Sequence, residues 1–238
     1  MRILVVDVGG TNVKVAGSWR RTPVKVASGP TMTGAQMVRA VRALTADWRY
    51  DVVTVGFPGP VKAGKPMAEP INLGGGWRRL NFEKAFGKPV RVVNDAAMQA
   101  LGSYAGGRML YLGLGTGLGS AIVDEGRLQP LELAHLPYRK GESYEEYLGV
   151  AGLEALGRKR WAEHVGIVSD LLRRAMLCDY VVLGGGNVNK LDRLPPHTRR
   201  GSNEHAVEGG IRLWSEDAPL FAVPVRRRKR RQIAEPND

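Results

Sequence analysis

The sequence predicts an α/β protein of two lobes, with mixed sheets and a ligand-binding cleft between the lobes. Three observations predict this fold class. A strand, a glycine-rich turn and a returning strand occur at residues 3–16 and again at residues 109–123. Segments with helical spacing of apolar residues separate the other strands. Because both hairpins and helices join the strands, each sheet should mix antiparallel and parallel pairs.

The first half of the chain alternates strands with helices. The β-branched runs at residues 3–6 and 52–55 predict buried strands, and residues 13–16 predict the strand that returns from the first turn. Residues 33–48 carry apolar side chains at helical spacing, with Thr33 as the N-cap. The remaining elements predicted here are a short strand within 20–30, a loop over 61–79, a helix at 81–86, a strand at 90–93 and a helix at 96–104.

The second half repeats this organisation after a glycine-rich boundary at residues 105–108. Strands are predicted at 109–114, 120–123 and 179–183, and helices at 143–148, 152–165, 167–177 and about 203–214. This order predicts four regions along the chain. They are an N-terminal lobe at 1–106, a C-terminal lobe at 107–203, a helix returning to the N-terminal lobe at 204–217, and a basic, disordered tail at 218–238.

The chain of 238 residues carries a net charge of +12. Six consecutive basic residues at 226–231 contribute to it, which leaves +6 on the rest of the chain. Such a basic body favours an anionic partner, namely a nucleotide, polyphosphate, or nucleic acid bound without sequence specificity, although the basic run can also serve solubility alone.

The composition also argues against several classes of protein. Cys178 is the only cysteine, so no disulfide within the chain and no cysteine-based zinc site can form. A single cysteine fits a reducing, cytoplasmic location. No apolar run approaches the roughly 20 residues that span a bilayer, so no membrane partner is expected. The chain enters a strand at once, so we expect no signal peptide.

The first glycine turn is the earliest stretch that suggests chemistry. Asp7 ends a predicted strand, and Gly9, Gly10 and Thr11 follow it. Backbone N–H groups and a hydroxyl in such a turn can cradle phosphate, because glycine lets the backbone approach the oxygens. Asp7 can then hold Mg²⁺ directly or through water. The alternative is a plain hairpin in which these residues only form the turn.

A family resemblance rests on an ordered set of motifs spread over residues 3–187. Residues 7–11 (Asp-Val-Gly-Gly-Thr), 115–119 (Gly-Thr-Gly-Leu-Gly) and 183–186 (Leu-Gly-Gly-Gly) resemble the phosphate and adenosine motifs of the actin-like ATPase and sugar kinase superfamily. Three further motifs narrow the resemblance to the ROK family of sugar kinases, on the polyphosphate glucokinase branch. They are residues 56–59 (Gly-Phe-Pro-Gly), 94–95 (Asn-Asp) and 132–135 (Glu-Leu-Ala-His).

That resemblance implies the two-lobed actin-like, ribonuclease H-like ATPase fold and a hexokinase-type reaction. A phosphoryl group would pass from ATP, inorganic polyphosphate or both to a hexose, with the 6-hydroxyl of glucose as the expected acceptor. It also implies Mg²⁺, a homodimer, no zinc and no specific nucleic-acid partner. Many ROK members carry a cysteine-rich zinc site that this chain lacks, and ROK repressors carry an N-terminal DNA-binding domain that is not expected here.

The resemblance further assigns roles to individual residues. Asp95 is the implied general base, although Asn94 and Asp95 can also cap the helix that follows. Ala134 replaces a glycine of the family's motif, and Lys14 stays unassigned. The implied sugar ligands are Asn94, Asp95, Glu132, His135 and Asn72, with Glu142, Glu145 and Glu146 as candidates for a further sugar-binding glutamate. The implied phosphate and nucleotide ligands are Asp7, Gly9, Gly10, Thr11, Gly115, Thr116, Gly117, Gly184, Gly185 and Gly186.

Two other functions fit the same motifs. The fold also serves actin-like ATPases, so the motifs for phosphate alone do not establish sugar phosphorylation. A non-catalytic sugar- or nucleotide-binding regulator could use the basic tail to contact nucleic acid. Salt-sensitive DNA binding without phosphorylation of a sugar would favour the regulator.

Overall fold

The computed structural model describes residues 1–202 and 204–215, so the predicted tail lies outside the described residues. Within these ranges the strands form two five-stranded sheets and two small hairpins. The strands are β1 (Ile3–Val8), β2 (Asn12–Gly17), β3 (Arg20–Ala27), β4 (Val52–Phe57), β5 (Val61–Lys62), β6 (Lys65–Pro66), β7 (Val90–Asn94), β8 (Arg108–Leu114), β9 (Leu118–Asp124), β10 (Arg127–Leu131), β11 (Pro137–Arg139), β12 (Glu142–Ser143), β13 (Tyr180–Gly184) and β14 (Thr198–Arg200).

The helices pack on both sides of these sheets. Among the residues that the structure describes, none of them has the length and apolar character that crossing a membrane would require. The helices are α1 (Gly34–Leu44), α2 (Phe82–Phe86), α3 (Asp95–Ser103), α4 (Tyr144–Leu148), α5 (Val150–Ala175) and α6 (His205–Arg212), with a 3₁₀ turn at Gly186–Lys190.

The two large sheets have the same topology. The N-terminal sheet has the order β3-β2-β1-β4-β7, and the C-terminal sheet has the order β10-β9-β8-β13-β14. In both, the central strand pairs antiparallel with the hairpin strand that follows it and parallel with the strand on its other side. The predicted mixed sheets are therefore confirmed, and the repeated strand–turn–strand motif begins a duplicated unit.

Side chains alternate across each sheet and so divide the core into layers. On β1, Leu4, Val6 and Val8 pack outward with α1, whereas Ile3 and Val5 pack inward against α3 and α6. The inner layer also receives Met109 and Tyr111 from β8, so α3 and α6 lie between the two sheets. Helices α4 and α5 cover the outer face of the C-terminal sheet. The two-lobed α/β fold follows from this layering.

Helix α6 is fixed to the N-terminal sheet by buried polar contacts. The Thr54 hydroxyl on β4 donates to the carbonyl of Gly210 at 2.7 Å and accepts from the Trp214 indole at 2.9 Å. The Arg212 guanidinium donates to the carbonyls of Leu101 and Tyr104 at the end of α3. Because the Thr54 hydroxyl is buried, it needs such partners.

Three details differ from the sequence prediction. The predicted break in the long helix near residue 166 is wrong, because the helical geometry fails at Gly157 (φ 72°, ψ 159°) instead. Gly166 stays helical, since Trp161, Val165 and Val168 around it form one buried stripe. Strands β10 and β14 were not predicted, and neither were the two small hairpins, of which β5 and β6 lie within the predicted loop at 61–79. The last helix begins at His205, and Asn203 lies outside the described part of the chain.

The crossing of α3 and α6 yields a first prediction, on stability. A Cβ added at Gly209 would lie 1.8 Å from the carbonyl oxygen of Met98, so the two helices must separate to admit it. We expect Gly209→Ala to lower the free energy of unfolding by about 1–3 kcal/mol or more, as overpacking does. Gly166→Ala is the matched control, because its Cβ would meet only Pro195 at 3.8 Å. The control should be neutral or stabilise by about 0.5–1 kcal/mol, and equal urea midpoints for both variants would contradict this account of the crossing.

Candidate active site

Asp7 lies at the end of β1, on the side that faces α3. Its side chain is nearly enclosed, with 9% of the residue exposed. Lys14, opposite Asp7 in the β1–β2 register, places Nζ 3.4 Å from Oδ2. Burial raises the pKa of the Asp7 carboxyl, and the Lys14 ammonium opposes that rise. Lys14, which the sequence left unassigned, is thus the cation that balances Asp7.

Asn94 and Asp95 stand where β7 ends and α3 begins. The Asn94 side chain caps the helix, with Oδ1 accepting from the Ala97 N–H at 3.1 Å and Nδ2 donating to the Gly59 carbonyl at 3.0 Å. Asp95 is the first helical residue, and its Oδ1 accepts from the Ala96 N–H at 2.8 Å. The capping alternative therefore applies to Asn94, while Asp95 is held rigidly beside it with one carboxylate oxygen free of that bond.

The electrostatic environment of Asp95 is unusual for an aspartate. Burial raises its pKa to about 7, and the negative charge of Asp7 is the next largest cause. Glu132 adds a smaller rise, whereas the hydrogen bond from Ala96 lowers the pKa. The structure therefore brings three predicted site residues from both halves of the chain close enough to interact. A carboxylate with a pKa near neutrality is suited to accept a proton from a hydroxyl.

Glu132 and His135 lie in the segment that follows β10. The Ser120 hydroxyl fixes this segment by donating to the Leu131 carbonyl at 3.0 Å and accepting from the Leu133 N–H at 3.1 Å. Leu133 and Ala134 are buried, so the flanking Glu132 and His135 are the exposed ends of an anchored turn. His135 is close enough to lower the pKa of Glu132, although the partial burial of the Glu132 carboxyl leaves that pKa raised.

The three candidate glutamates occupy different positions. Glu145 accepts the Leu118 N–H at 3.1 Å, and its charge helps to raise the pKa of Glu132. Glu146 instead closes a capping box with Ser143 at the start of α4. Glu142 is exposed on β12, before α4 begins. Glu145 is thus the candidate that the fold brings to the group containing Glu132 and Asp95.

The first glycine turn has free backbone donors. The Gly9 N–H donates to the Asn12 carbonyl at 3.0 Å, and the Thr11 carbonyl accepts from Ser28. The N–H groups of Gly10 and Thr11 make no hydrogen bond with the residues that the structure describes. A Cβ on Gly10 would lie 3.1 Å from Cβ of Asn72, so Asn72 lies against this turn. The turn can therefore offer two N–H donors to an anion.

The second glycine turn is built in the same way and is tied to the glycine triplet. The Gly115 N–H donates to the Gly117 carbonyl at 3.1 Å, which leaves the N–H groups of Thr116 and Gly117 without a partner in residues 1–202 and 204–215. Asn187 donates from Nδ2 to the Gly115 carbonyl at 2.9 Å and so links this turn to residues 184–186. Sequence reasoning did not assign Asn187 a role, although it directly follows the triplet.

The members of the glycine triplet differ in what they contact. A Cβ on Gly184 would lie 2.1 Å from the Tyr111 hydroxyl, and one on Gly185 would lie 2.3 Å from the Leu114 carbonyl oxygen. Both positions therefore need glycine for packing against β8. Gly186 faces open space instead. Of the three, Gly186 is the one whose surroundings leave room for a ligand.

The acidic groups fit a magnesium ion that is shared with a substrate. The described residues contain no group of three or more metal-ligating side chains. Mg²⁺ usually takes one or two protein carboxylates and completes its shell with water and substrate phosphates. Asp7, and Asp95 near it, supply that number of carboxylates. The charge of Asp7 raises the pKa of Asp95, which marks an acidic locus that a cation would neutralise.

The different placements of Glu145 and Glu146 give a second prediction. We expect Glu145→Ala to reduce kcat/KM for the acceptor sugar that the resemblance implies by roughly 10²-fold, because it removes a charged site group and the acceptor for Leu118. Glu146→Ala, which breaks only the capping box, should cost about 1 kcal/mol of stability and leave kcat unchanged. Steady-state kinetics and urea unfolding of both variants test this, and equal kinetic losses would contradict the distinction.

Known proteins resemble this chain in sequence and in fold. No protein-family model matches it. It is 28% identical over 211 residues to a polyphosphate glucokinase from Mycobacterium leprae, an alignment that covers 82% of this chain and 62% of the relative. The chain thus spans less than two thirds of that relative's length.

Two solved structures share the fold at low sequence identity. An inorganic polyphosphate/ATP-glucomannokinase from Arthrobacter sp. has a TM-score of 0.73 and 23% identity, covering 88% of this chain and 96% of the other. A ROK family glucokinase from Streptomyces griseus, solved with glucose and AMPPNP, has a TM-score of 0.69 and 18% identity, covering 89% and 98%. At these identities the likeness establishes the two-lobed fold that the motifs predicted.

Proposed function

We propose that this chain is a ROK-family sugar kinase of the polyphosphate glucokinase branch, and that it transfers a phosphoryl group from ATP or polyphosphate to a hexose hydroxyl. The expected product is glucose 6-phosphate. The observation that carries this proposal is the convergence of Asp7 and Glu132, which come from different lobes, on Asp95, because both carboxylates raise the pKa of Asp95. A phosphate-binding ATPase needs no such group of acceptors for sugar hydroxyls.

Asp95 acts as the general base in this proposal. Its raised pKa favours proton uptake as the hexose hydroxyl attacks phosphorus, and its position at the start of α3 fixes the carboxylate. Glu132, His135 and Glu145 bind the remaining hydroxyl groups of the sugar. Asn94, whose side chain already caps α3, contributes mainly by positioning Asp95. We propose Asn72, which lies against Gly10, as a contact between the sugar and the donor turn.

The two glycine turns hold the phosphoryl donor. Their four free N–H groups donate to phosphate oxygens, and the Thr11 and Thr116 hydroxyls can add to these. Asp7 would hold Mg²⁺, which when bound supplies positive charge to the donor's phosphates. Gly186 would adjoin the nucleoside where ATP is the donor. Closure of the lobes around the substrates would exclude water from the transferred group.

Polyphosphate use is the most specific part of this proposal, and its test is a third prediction. A polyphosphate chain bound along Lys and Arg side chains releases counterions, so its KM should rise steeply with salt. The KM for ATP should respond less, because ATP relies on the glycine turns. Formation of glucose 6-phosphate from nucleotide-free polyphosphate at low and high salt measures this. No product at low salt from protein that is active with ATP would reject the polyphosphate donor.

A regulator without catalysis remains the second candidate function, because some ROK members are regulators. The raised pKa of Asp95 favours the enzyme, since a site that only binds a sugar needs no proton acceptor near neutrality. Mobility-shift assays over a range of salt concentrations, run beside the kinase assay, separate the two. We also propose, from the family resemblance, that the chain forms a cytoplasmic homodimer. Light scattering measures its assembly state in solution.

A further inference from the structure

A second cleft lies at the other end of the N-terminal sheet. We name it the basic cleft, and its volume is about 690 Å³. Among the described residues that line it, Asp51 is the one carboxylate. The side chains that matter here are Arg2, Arg42, Trp48, Arg49, Tyr50 and Lys88.

The basic cleft is separate from the candidate active site. Arg2 precedes β1, and Asp7 lies five residues further along that strand, which corresponds to about 16 Å at the usual rise of about 3.3 Å per residue. Tyr50 and Lys88 likewise precede β4 and β7, at the amino ends of these parallel strands. Asp95 follows β7 at its carboxyl end. A small ligand in the basic cleft therefore does not overlap the site of Asp7 and Asp95.

The cations of the basic cleft are poorly neutralised. Arg49 and Lys88 are exposed and make no hydrogen bond or ion pair within the described part of the chain. The Arg42 guanidinium donates only to the Ala85 carbonyl, at 3.2 Å. Asp51 accepts the backbone N–H of Arg2 at 2.7 Å rather than pairing with a side-chain cation. Four cationic side chains thus line one cleft with a single carboxylate among its described lining residues, and a multivalent anion would relieve their repulsion.

Tryptophan rings contact two arginine side chains at the edge of this cleft. The Arg2 guanidinium lies 5.6 Å from the ring centre of Trp19, and that of Arg20 lies 5.3 Å from the ring of Trp48. The two tryptophans contact each other edge to face at 5.9 Å. Side chains that are already positioned lose less conformational freedom when an anion binds.

We propose that the basic cleft is a second, non-catalytic binding site for a chain of phosphates. Guanidinium groups match phosphate oxygens in pairs, and Lys88 adds a point charge. The phosphate chain can come from free inorganic polyphosphate or from the triphosphate of a nucleotide. With long polyphosphate, a consequence that rests on the proposed function follows: an anchored chain raises the effective donor concentration at the active site.

The test compares two variants of equal charge by calorimetric titration without sugar. One is Arg42→Gln/Arg49→Gln/Lys88→Gln in the basic cleft. The matched control is Lys159→Gln/Arg160→Gln/Arg193→Gln, which removes three exposed cations from the C-terminal lobe. The ligands are long-chain polyphosphate, tripolyphosphate and ATP. We expect the cleft variant to bind long-chain polyphosphate about 10-fold more weakly, with the salt slope reduced by about three, and the control to change less than about 2-fold.

Each outcome decides the proposal. A selective loss for polyphosphate identifies the inorganic chain as the ligand, and a selective loss for ATP at a second site identifies the nucleotide. Equal weakening in both variants would overturn the proposal, since the binding would then reflect total charge alone. No weakening in either variant would overturn it as well, since these cations would then not contact the ligand. Because no turnover is measured, binding can persist in a protein that fails as a kinase. Conversely, the protein can turn over polyphosphate while the cleft variant binds polyphosphate as tightly as the unmodified protein. That result would reject the second site and leave the proposed function standing.

Discussion

Asp95→Asn should reduce kcat by roughly 10²-fold or more while the KM for the sugar changes little. The amide keeps the shape of the side chain and an acceptor for the Ala96 N–H, so α3 stays intact. It cannot accept the proton of the attacking hydroxyl, and general base catalysis contributes about 10²–10⁴-fold. Steady-state kinetics with saturating donor measure the effect. Turnover near that of the unmodified protein would show that Asp95 is not the base.

The same variant tests the environment of Asp95 without any turnover. The native state keeps a proton on Asp95 up to a pKa of about 7, whereas the unfolded chain loses it near 3.8. The native state therefore binds more protons across this window, and the stability due to neutral Asp95 is lost as the pH rises through 7. In metal-free buffer, Asp95→Asn should be more stable than the unmodified protein at pH 8, with a gain that shrinks towards pH 4. A gain independent of pH would contradict the raised pKa.

Asp7→Asn should also reduce kcat by roughly 10²-fold or more, for a different reason. A bound divalent cation contributes several kcal/mol to phosphoryl transfer, and each 1.36 kcal/mol corresponds to about tenfold in rate. We expect the variant to need a higher Mg²⁺ concentration for half-maximal activity. Measuring the rate against Mg²⁺ concentration tests this, because loss of a purely structural carboxylate would lower the rate without shifting the midpoint.

Lys14→Gln provides the control for Asp7. It removes the ammonium group 3.4 Å from Asp7 but leaves the carboxylate in place. The pKa of Asp7 should rise further, since the opposing cation is gone. We expect a smaller kinetic loss than for Asp7→Asn, and one that diminishes as the pH is raised. Identical losses in both variants would assign the effect to the ion pair rather than to the carboxylate.

The duplication could be predicted because its signal is local. A strand, a glycine turn and a returning strand are contiguous in sequence, and the structure places both copies at the centre of equivalent sheets. Strands β10 and β14 were missed for a physical reason. Their residues include Gln129, Pro130 and Arg199, and their pairing is decided by neighbours distant in sequence rather than by their own propensity.

The site could be predicted only in part. Asp95 and Glu132 were found through motifs, but the influence of Glu132 on the pKa of Asp95 depends on the packing of α3 between the sheets. Three glutamates within residues 142–146 could not be separated by sequence, because the choice rests on which helical face meets Leu118. The basic cleft could not be predicted from the sequence for the same reason. It is lined by Arg2, Lys88 and side chains within residues 42–51, which lie close together only after β1, β4 and β7 have paired.

The most direct test of the sugar kinase proposal is a matrix of donors and sugars with the purified chain. ATP and nucleotide-free polyphosphate are each offered with glucose, mannose, fructose and N-acetylated hexosamines, in parallel with Asp95→Asn. The proposal predicts a phosphorylated hexose, with glucose as the expected best acceptor, and loss of that product by roughly 10²-fold or more in the variant. Folded protein that phosphorylates none of these sugars from either donor would contradict it.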